Sequence, residues 1–90
     1  MLFMVVEHFR NGDAVAVYHR FRDQGRLAPP GLVYIGSWLS ADLTTCFQIM
    51  ESPRRALLDE WIAHWDDLVD FEVIPVMTSA DAVAAVTPHL

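Results

Sequence analysis

The spacing of apolar residues changes several times along this chain, and the order of these changes is the feature that most limits which fold the chain can adopt. Stretches with few polar residues, typical of strands, alternate with stretches in which apolar residues recur every three or four positions, typical of helices. The sequence predicts strand, helix, strand, strand, helix and strand over residues 1–9, 13–25, 32–39, 44–51, 53–68 and 71–77. A short helix over 80–86 and a frayed tail over 87–90 follow, so residues 1–90 form a single domain.

This βαββαβ order predicts an α+β, ferredoxin-like fold. Four antiparallel strands would form one sheet in the order 4-1-3-2, with two helices on one face. The first strand, Leu2 to Phe9, is almost continuously apolar, which is typical of a central strand. Pro75 has no backbone N–H to donate, so it favours an edge position for the fourth strand.

The predicted helices have recognisable ends. Asp13 is a good N-cap for the first helix, and Gly25 fits its C-terminal end. Ser52 followed by Pro53 predicts the start of the second helix, because proline is tolerated in the first helical turn. The second helix carries Trp61 and Trp65 on its apolar stripe, and we expect both indole rings in the core.

Charge and cysteine content exclude several classes of partner. The formal net charge is −6, which disfavours nucleic acids and anionic membranes. No stretch approaches the roughly 20 apolar residues that span a bilayer. The single cysteine, Cys46, excludes an intrachain disulfide and fits a reducing compartment. The first residues lack a cationic leader, so we expect a cytoplasmic protein without a signal peptide.

The sheet face without helices needs a partner. Apolar residues make up 53% of the chain, above the usual 45–50% or so. With a three-residue hairpin loop over 40–42, one set of side chains points to the helices: Val33, Ile35, Phe47 and Ile49. The alternate set would lie on the uncovered face: Tyr34, Trp38, Cys46 and Met50. A one-residue slip in register would exchange the two sets.

The simplest closure for such a face is a two-fold homodimer with packed sheets. This arrangement would form a homodimeric α/β barrel, and it can keep a pocket for a small apolar molecule between the sheets.

Several segments resemble the DUF3303 family of small uncharacterised proteins. They are Trp61, Trp65, residues 67–76, residues 3–5, residues 36–38 with 41–42, and residues 47–51. The resemblance covers nearly the whole chain and implies a ferredoxin-like monomer of the dimeric α/β-barrel superfamily. More distant relatives in that superfamily include cofactor-free monooxygenases, haem-degrading enzymes and muconolactone isomerases. Resemblance at the level of the fold does not assign any of these reactions to the chain.

Polar and aromatic side chains on otherwise apolar strands are the best ligand-binding candidates. They are Glu7, Tyr34, Trp38, Gln48 and Glu51. If these carboxyl groups point between the two sheets of the dimer, burial would raise their pKa values and they could exchange protons. The alternative is that Glu7 and Glu51 lie at hydrated strand ends and that Gln48 bonds to a neighbouring strand or to the second subunit. His8 follows Glu7 directly, so the two side chains cannot share a face of a regular strand.

No cofactor or metal site is expected. Glu60, His64 and Asp67 have the spacing of one helix face, but Glu60 and His64 are better interpreted as a solvated pair. Cys46 has no adjacent activating base and is better interpreted as a small buried side chain.

Two classes of function remain open. One is a small-molecule binding or assembly module, and the alternative is a cofactor-independent enzyme of monooxygenase or isomerase type. The enzyme would hold its substrate among Trp38, Gln48 and Glu51, and a cavity of roughly 300 Å³ or more would favour it.

Overall fold

The computed structural model describes all 90 residues. The strands are β1 (Leu2–Phe9), β2 (Val33–Leu39), β3 (Thr45–Glu51) and β4 (Val69–Val76). The helices are α1 (Ala14–Gln24), α2 (Arg55–Ala63) and α3 (Ser79–Val86), with 3-10 turns at Arg10–Gly12 and Thr87–His89. All neighbouring strands are antiparallel in the order β2-β3-β1-β4. The predicted α+β, ferredoxin-like topology is therefore confirmed, with β4 and its Pro75 at one edge.

The ends of α1 lie where the sequence places them. The Asp13 carboxylate accepts a hydrogen bond from the backbone N–H of Ala16 at 3.1 Å, which satisfies a free donor of the first turn. Gly25 ends the helix at φ 72°, a left-handed conformation that favours glycine.

The prediction for α2 was wrong at both ends. The helix begins at Arg55 and ends at Ala63, and residues 64–68 form turns. The Ser52 hydroxyl bonds the backbone of Arg54 instead of a donor inside the helix, which delays the helix start. These turns still bury Trp65, so the apolar spacing of the segment continues beyond the helix.

An ion pair joins α1 to the segment after α2. The Arg20 guanidinium donates to both carboxylate oxygens of Asp67 at 2.7 Å and to the backbone carbonyl of His64 at 2.9 Å. Asp67 therefore links α1 to the turns that follow α2. No group of three or more His, Cys, Asp or Glu side chains has the arrangement of a metal site.

The core lies between the sheet and the two helices. Its members are Phe3, Val5, Phe9, Val17, Leu32, Cys46, Met50, Leu57, Leu58, Trp61, Trp65 and Val69. Both indole N–H groups, those of Trp61 and Trp65, donate to the backbone carbonyl of Arg26 at 2.9 Å. The predicted core position of the two tryptophans is confirmed, and their bonds anchor the loop after α1.

Most of the side chains assigned to a sheet face on β2 and β3 were predicted on the wrong face. Residues 40–44 separate β2 from β3, and Leu39 pairs with Cys46, so six residues, 40–45, lie between the first paired positions instead of three. Cys46 and Met50 are buried beneath the helices, whereas Phe47, predicted to face them, is half exposed on the other face. Directly paired residues share a face in antiparallel sheets, so the change from an odd to an even number of residues between the paired positions exchanges the two sets on β3.

A bulge in β2 separates Tyr34 from Trp38. The register shifts between Tyr34 and Gly36, so that Tyr34 pairs with Met50 and Trp38 pairs with Phe47. Tyr34 therefore lies on the helix-covered face, which contradicts the prediction. Trp38 lies on the uncovered face, as predicted. An extra residue in one strand changes the side-chain alternation beyond it.

The C-terminal helix projects from the domain. None of the residues in α3 is buried, and its main neighbour is the terminal 3-10 turn. The molecule is accordingly elongated, with extents of 48 × 30 × 17 Å. No helix has the length and apolar content needed to cross a bilayer, since the longest has 11 residues.

Candidate functional site

A cavity of about 170 Å³ lies between the sheet and the helices. Its lining comprises Glu7, Phe9, Val17, Tyr18, Phe21, Arg26, Ser37, Cys46, Gln48, Trp61 and Trp65. The strands contribute most of its polar groups, and the helices contribute mainly aromatic and aliphatic side chains. Tyr18 and Phe21 are half exposed, so solvent reaches the cavity between aromatic rings.

Glu7 is the buried acid of this cavity. It lies on β1 between Cys46 of β3 and Phe71 of β4, and its exposed fraction is 6%. Burial raises the pKa of Glu7 to about 7, although a hydrogen bond with the Cys46 thiol and the charge of Arg26 act to lower it. At neutral pH the carboxyl group therefore exists in both protonation states.

Cys46 remains a neutral thiol beside this acid. Burial, and then the neighbouring Glu7 charge, raise the pKa of Cys46 to about 12. A thiolate is the nucleophilic form of cysteine, so Cys46 does not supply a nucleophile at neutral pH. It serves as a hydrogen-bond partner of Glu7, in keeping with the small buried side chain that the sequence indicates.

Arg26 brings a positive charge to the same cavity. Its neighbours Gly25 and Leu27 both have positive φ, at 72° and 62°, and the two indole N–H groups hold its carbonyl. Its guanidinium Nη1 donates to Gln48 Oε1 at 3.1 Å. The guanidinium carbon lies 3.7 Å from the centre of the Tyr34 ring and 5.3 Å from that of Phe21, distances typical of cation–π contacts.

Gln48 uses both ends of its amide. Its exposed fraction is 2%. It accepts from Arg26 through Oε1, and its Nε2 donates to the Met50 sulfur at 3.1 Å. A buried amide requires such partners, and here one partner is the cation of the cavity. Gln48 thus helps to position Arg26.

The structure brings together only part of the predicted candidate set. Glu7 and Gln48 line the cavity, and Tyr34 contacts it through Arg26. Trp38 lies on the opposite face, 63% exposed. Glu51 is exposed at the end of β3, opposite Leu2 and Val33. Trp38 and Glu51 therefore cannot contact a ligand in this cavity.

Sequence reasoning missed Arg26 altogether. It lies two residues beyond the end of α1, where the helical pattern makes no prediction. Gly25 was the available signal, because a residue that follows a glycine C-cap leaves the helix face. Ser37 and Tyr18, which also line the cavity, carry no distinguishing signal in the sequence.

Two helices on one face of an antiparallel sheet define a ferredoxin-like α+β protein. The cavity beneath these helices contains an acid and a cation and has the volume of a small molecule. The chain belongs to the DUF3303 family: the model of this family, described as a domain of unknown function, matches residues 1–90. Searches for similar proteins found no match among curated proteins and none among solved structures.

Proposed function

We propose that this protein binds a small ring-shaped molecule in the cavity beneath the helices and exchanges a proton with it through Glu7. The observation that carries the proposal is a buried carboxyl group on a central strand, facing a cavity that also holds a cation and aromatic walls. Concave sites with a few convergent polar groups are typical of ligand binding. Ionisable groups with shifted pKa values are concentrated at such sites.

The size of the cavity limits the ligand. A cavity of roughly 150 Å³ lined by apolar side chains accommodates a benzene ring, and the present cavity has about 170 Å³. It is smaller than the roughly 300 Å³ expected of a pocket for a drug-sized ligand. It also lies under the helices and not between two sheets, which moves the proposed ligand site away from the uncovered face. A single ring with a polar substituent matches this space.

Proton transfer is the chemistry that these groups support. A carboxyl group whose pKa is about 7 can remove a proton from a ligand atom and return it to another at neutral pH. This places the cofactor-independent isomerase type first among the enzymatic alternatives. A monooxygenase would also require molecular oxygen as a second substrate.

A pair of variants on α1 tests the binding proposal. Val17 is buried and lines the cavity, whereas Val15 is exposed on the same helix. Val17→Phe should fill the cavity and abolish binding of benzyl alcohol, measured by saturation-transfer NMR at millimolar concentration. Val15→Phe should bind it as the native protein does. Ser37→Leu, on β2, fills the cavity from the opposite side if Val17→Phe does not fold. Absence of binding to the native protein, or equal binding by all variants, would contradict the proposal.

The uncovered sheet face favours a second role, assembly into a homodimer. It carries Trp38, Phe47 and Ile74, each at least 40% exposed, and apolar surface of this kind is typical of interfaces. A dimeric α/β barrel is the assembly that the family resemblance implies, and the single cysteine fits a cytoplasmic protein. Sedimentation at low micromolar concentration should give twice the 10.2 kDa chain mass. Trp38→Glu should give the monomer mass, and a native protein that sediments as a folded monomer would exclude this role.

A further inference from the structure

Arg26 is the one cation available inside the cavity. The chain has six arginines and no lysine, and the five other arginines are absent from the cavity lining. The Arg26 side chain bonds the neutral amide of Gln48 and lies over the rings of Tyr34 and Phe21, so these three contacts leave its charge without an ion-pair partner. Glu7 opposes this charge only when it is ionised.

We infer that the ligand is a single-ring aromatic anion, such as a carboxylate or a phenolate, whose charged group is bound by Arg26. This inference rests on the proposed function and specifies the ligand class of the same site. A guanidinium binds carboxylates through two parallel N–H donors. The aromatic walls formed by Phe9, Trp61 and Trp65 suit the ring.

Binding of such an anion is coupled to the proton on Glu7. Protonated Glu7 can donate a hydrogen bond to the anion, whereas ionised Glu7 repels it and neutralises Arg26. The other ionisable groups facing Glu7 stay uncharged in this range, because the pKa values of Cys46 and Tyr18 are both raised. From α2 the cavity receives only the indole of Trp61, and the following turn adds that of Trp65. Affinity for an anion should therefore fall as Glu7 loses its proton.

Benzoate and benzyl alcohol are matched probes for this inference, since one is an anion and the other is neutral. If only the protonated form of Glu7 binds benzoate, the dissociation constant should rise about tenfold between pH 6 and pH 8. The dissociation constant of benzyl alcohol should stay constant over the same range. Isothermal titration calorimetry or NMR titration of the native protein measures both.

Three variants separate the roles of the charges. Arg26→Met should weaken benzoate binding at pH 6 by at least about tenfold, a larger loss than for benzyl alcohol. Arg22→Met is the matched control, because Arg22 is exposed on α1 and pairs only with Asp23. Glu7→Gln should retain benzoate binding and remove its dependence on pH.

The outcomes distinguish this inference from the function on which it rests. If benzyl alcohol binds and benzoate does not bind at pH 6, the ligand class is wrong while the site stands. Equal benzoate affinity for the native protein and Arg26→Met would overturn the role of Arg26. If neither probe binds, both the site and the inference fail.

Discussion

The two faces of the sheet place polar and apolar side chains in opposite ways. The helix-covered face buries Glu7 and Gln48, whereas the uncovered face exposes Trp38 and Phe47 to solvent. Burial of a carboxyl group costs free energy, and so does exposure of a large aromatic surface. Neither arrangement improves the stability of a single chain. This contrast supports the proposal of a separate task for each face, a ligand site under the helices and association through the other face.

Replacement of the two tryptophans gives the largest expected contrast between the faces. Trp61 is 2% exposed, so Trp61→Ala should lower the free energy of unfolding by about 3–5 kcal/mol. Trp38→Ala should change the stability of the monomer by only about 0.5 kcal/mol while weakening the dimer. Urea denaturation at two protein concentrations separates these effects, because only dimer stability depends on concentration. Equal losses that do not depend on concentration would remove the distinction between the faces.

Glu7 should make the stability of the domain depend on pH. Its pKa rises from 4.5 to about 7 on folding, so the native state retains the proton that the unfolded chain releases between these values. The stabilisation is complete below about pH 4.5 and is lost as pH rises through 7, a change of about 3 kcal/mol.

Comparison of Glu7→Gln with Glu51→Gln checks this linkage. Glu7→Gln should abolish the decline and should be more stable than the native protein at pH 8. Glu51 is exposed, and Glu51→Gln should keep the native pH profile. Chemical denaturation between pH 4.5 and pH 8.5 provides the measurement, and a native profile without a decline in this range would refute the buried state of Glu7.

The smallest expected effect concerns Gln48. Gln48→Leu keeps the volume of the side chain but removes the acceptor for Arg26, which is partly exposed and can bind water instead. We expect a loss of about 1 kcal/mol with the fold retained. Gln24→Leu, at the exposed end of α1, should be neutral. A loss several times larger for Gln48→Leu in thermal and urea denaturation would show that this amide is a main support of the sheet.

The sequence by itself determined the elements and their order. Three signals each act within a few residues: the alternation of strand and helix periods, the cap at Asp13 and the proline of the edge strand. The structure contains all three. Such local signals predict topology because short connections between βαβ elements leave few ways to form a sheet. The sequence predicted Glu7 either between the sheets of a dimer or at a hydrated strand end, whereas the structure buries it beneath the helices. For Gln48 it predicted hydrogen-bond partners if the amide is buried, and the structure supplies them.

Only the tertiary structure decided which side chains meet. The five-residue hairpin loop and the bulge between Tyr34 and Gly36 set the register of β3 and β2, and a change of one residue reverses every side chain beyond it. Arg26 reaches the cavity because the loop after α1 is held by hydrogen bonds from two indoles far along the chain. The pairing of Leu39 with Cys46 leaves six residues, 40–45, between these positions, where three were expected. Because side-chain alternation has a period of two, this change from an odd to an even number reversed the faces of β3 and misplaced the site, and local sequence does not specify that phase.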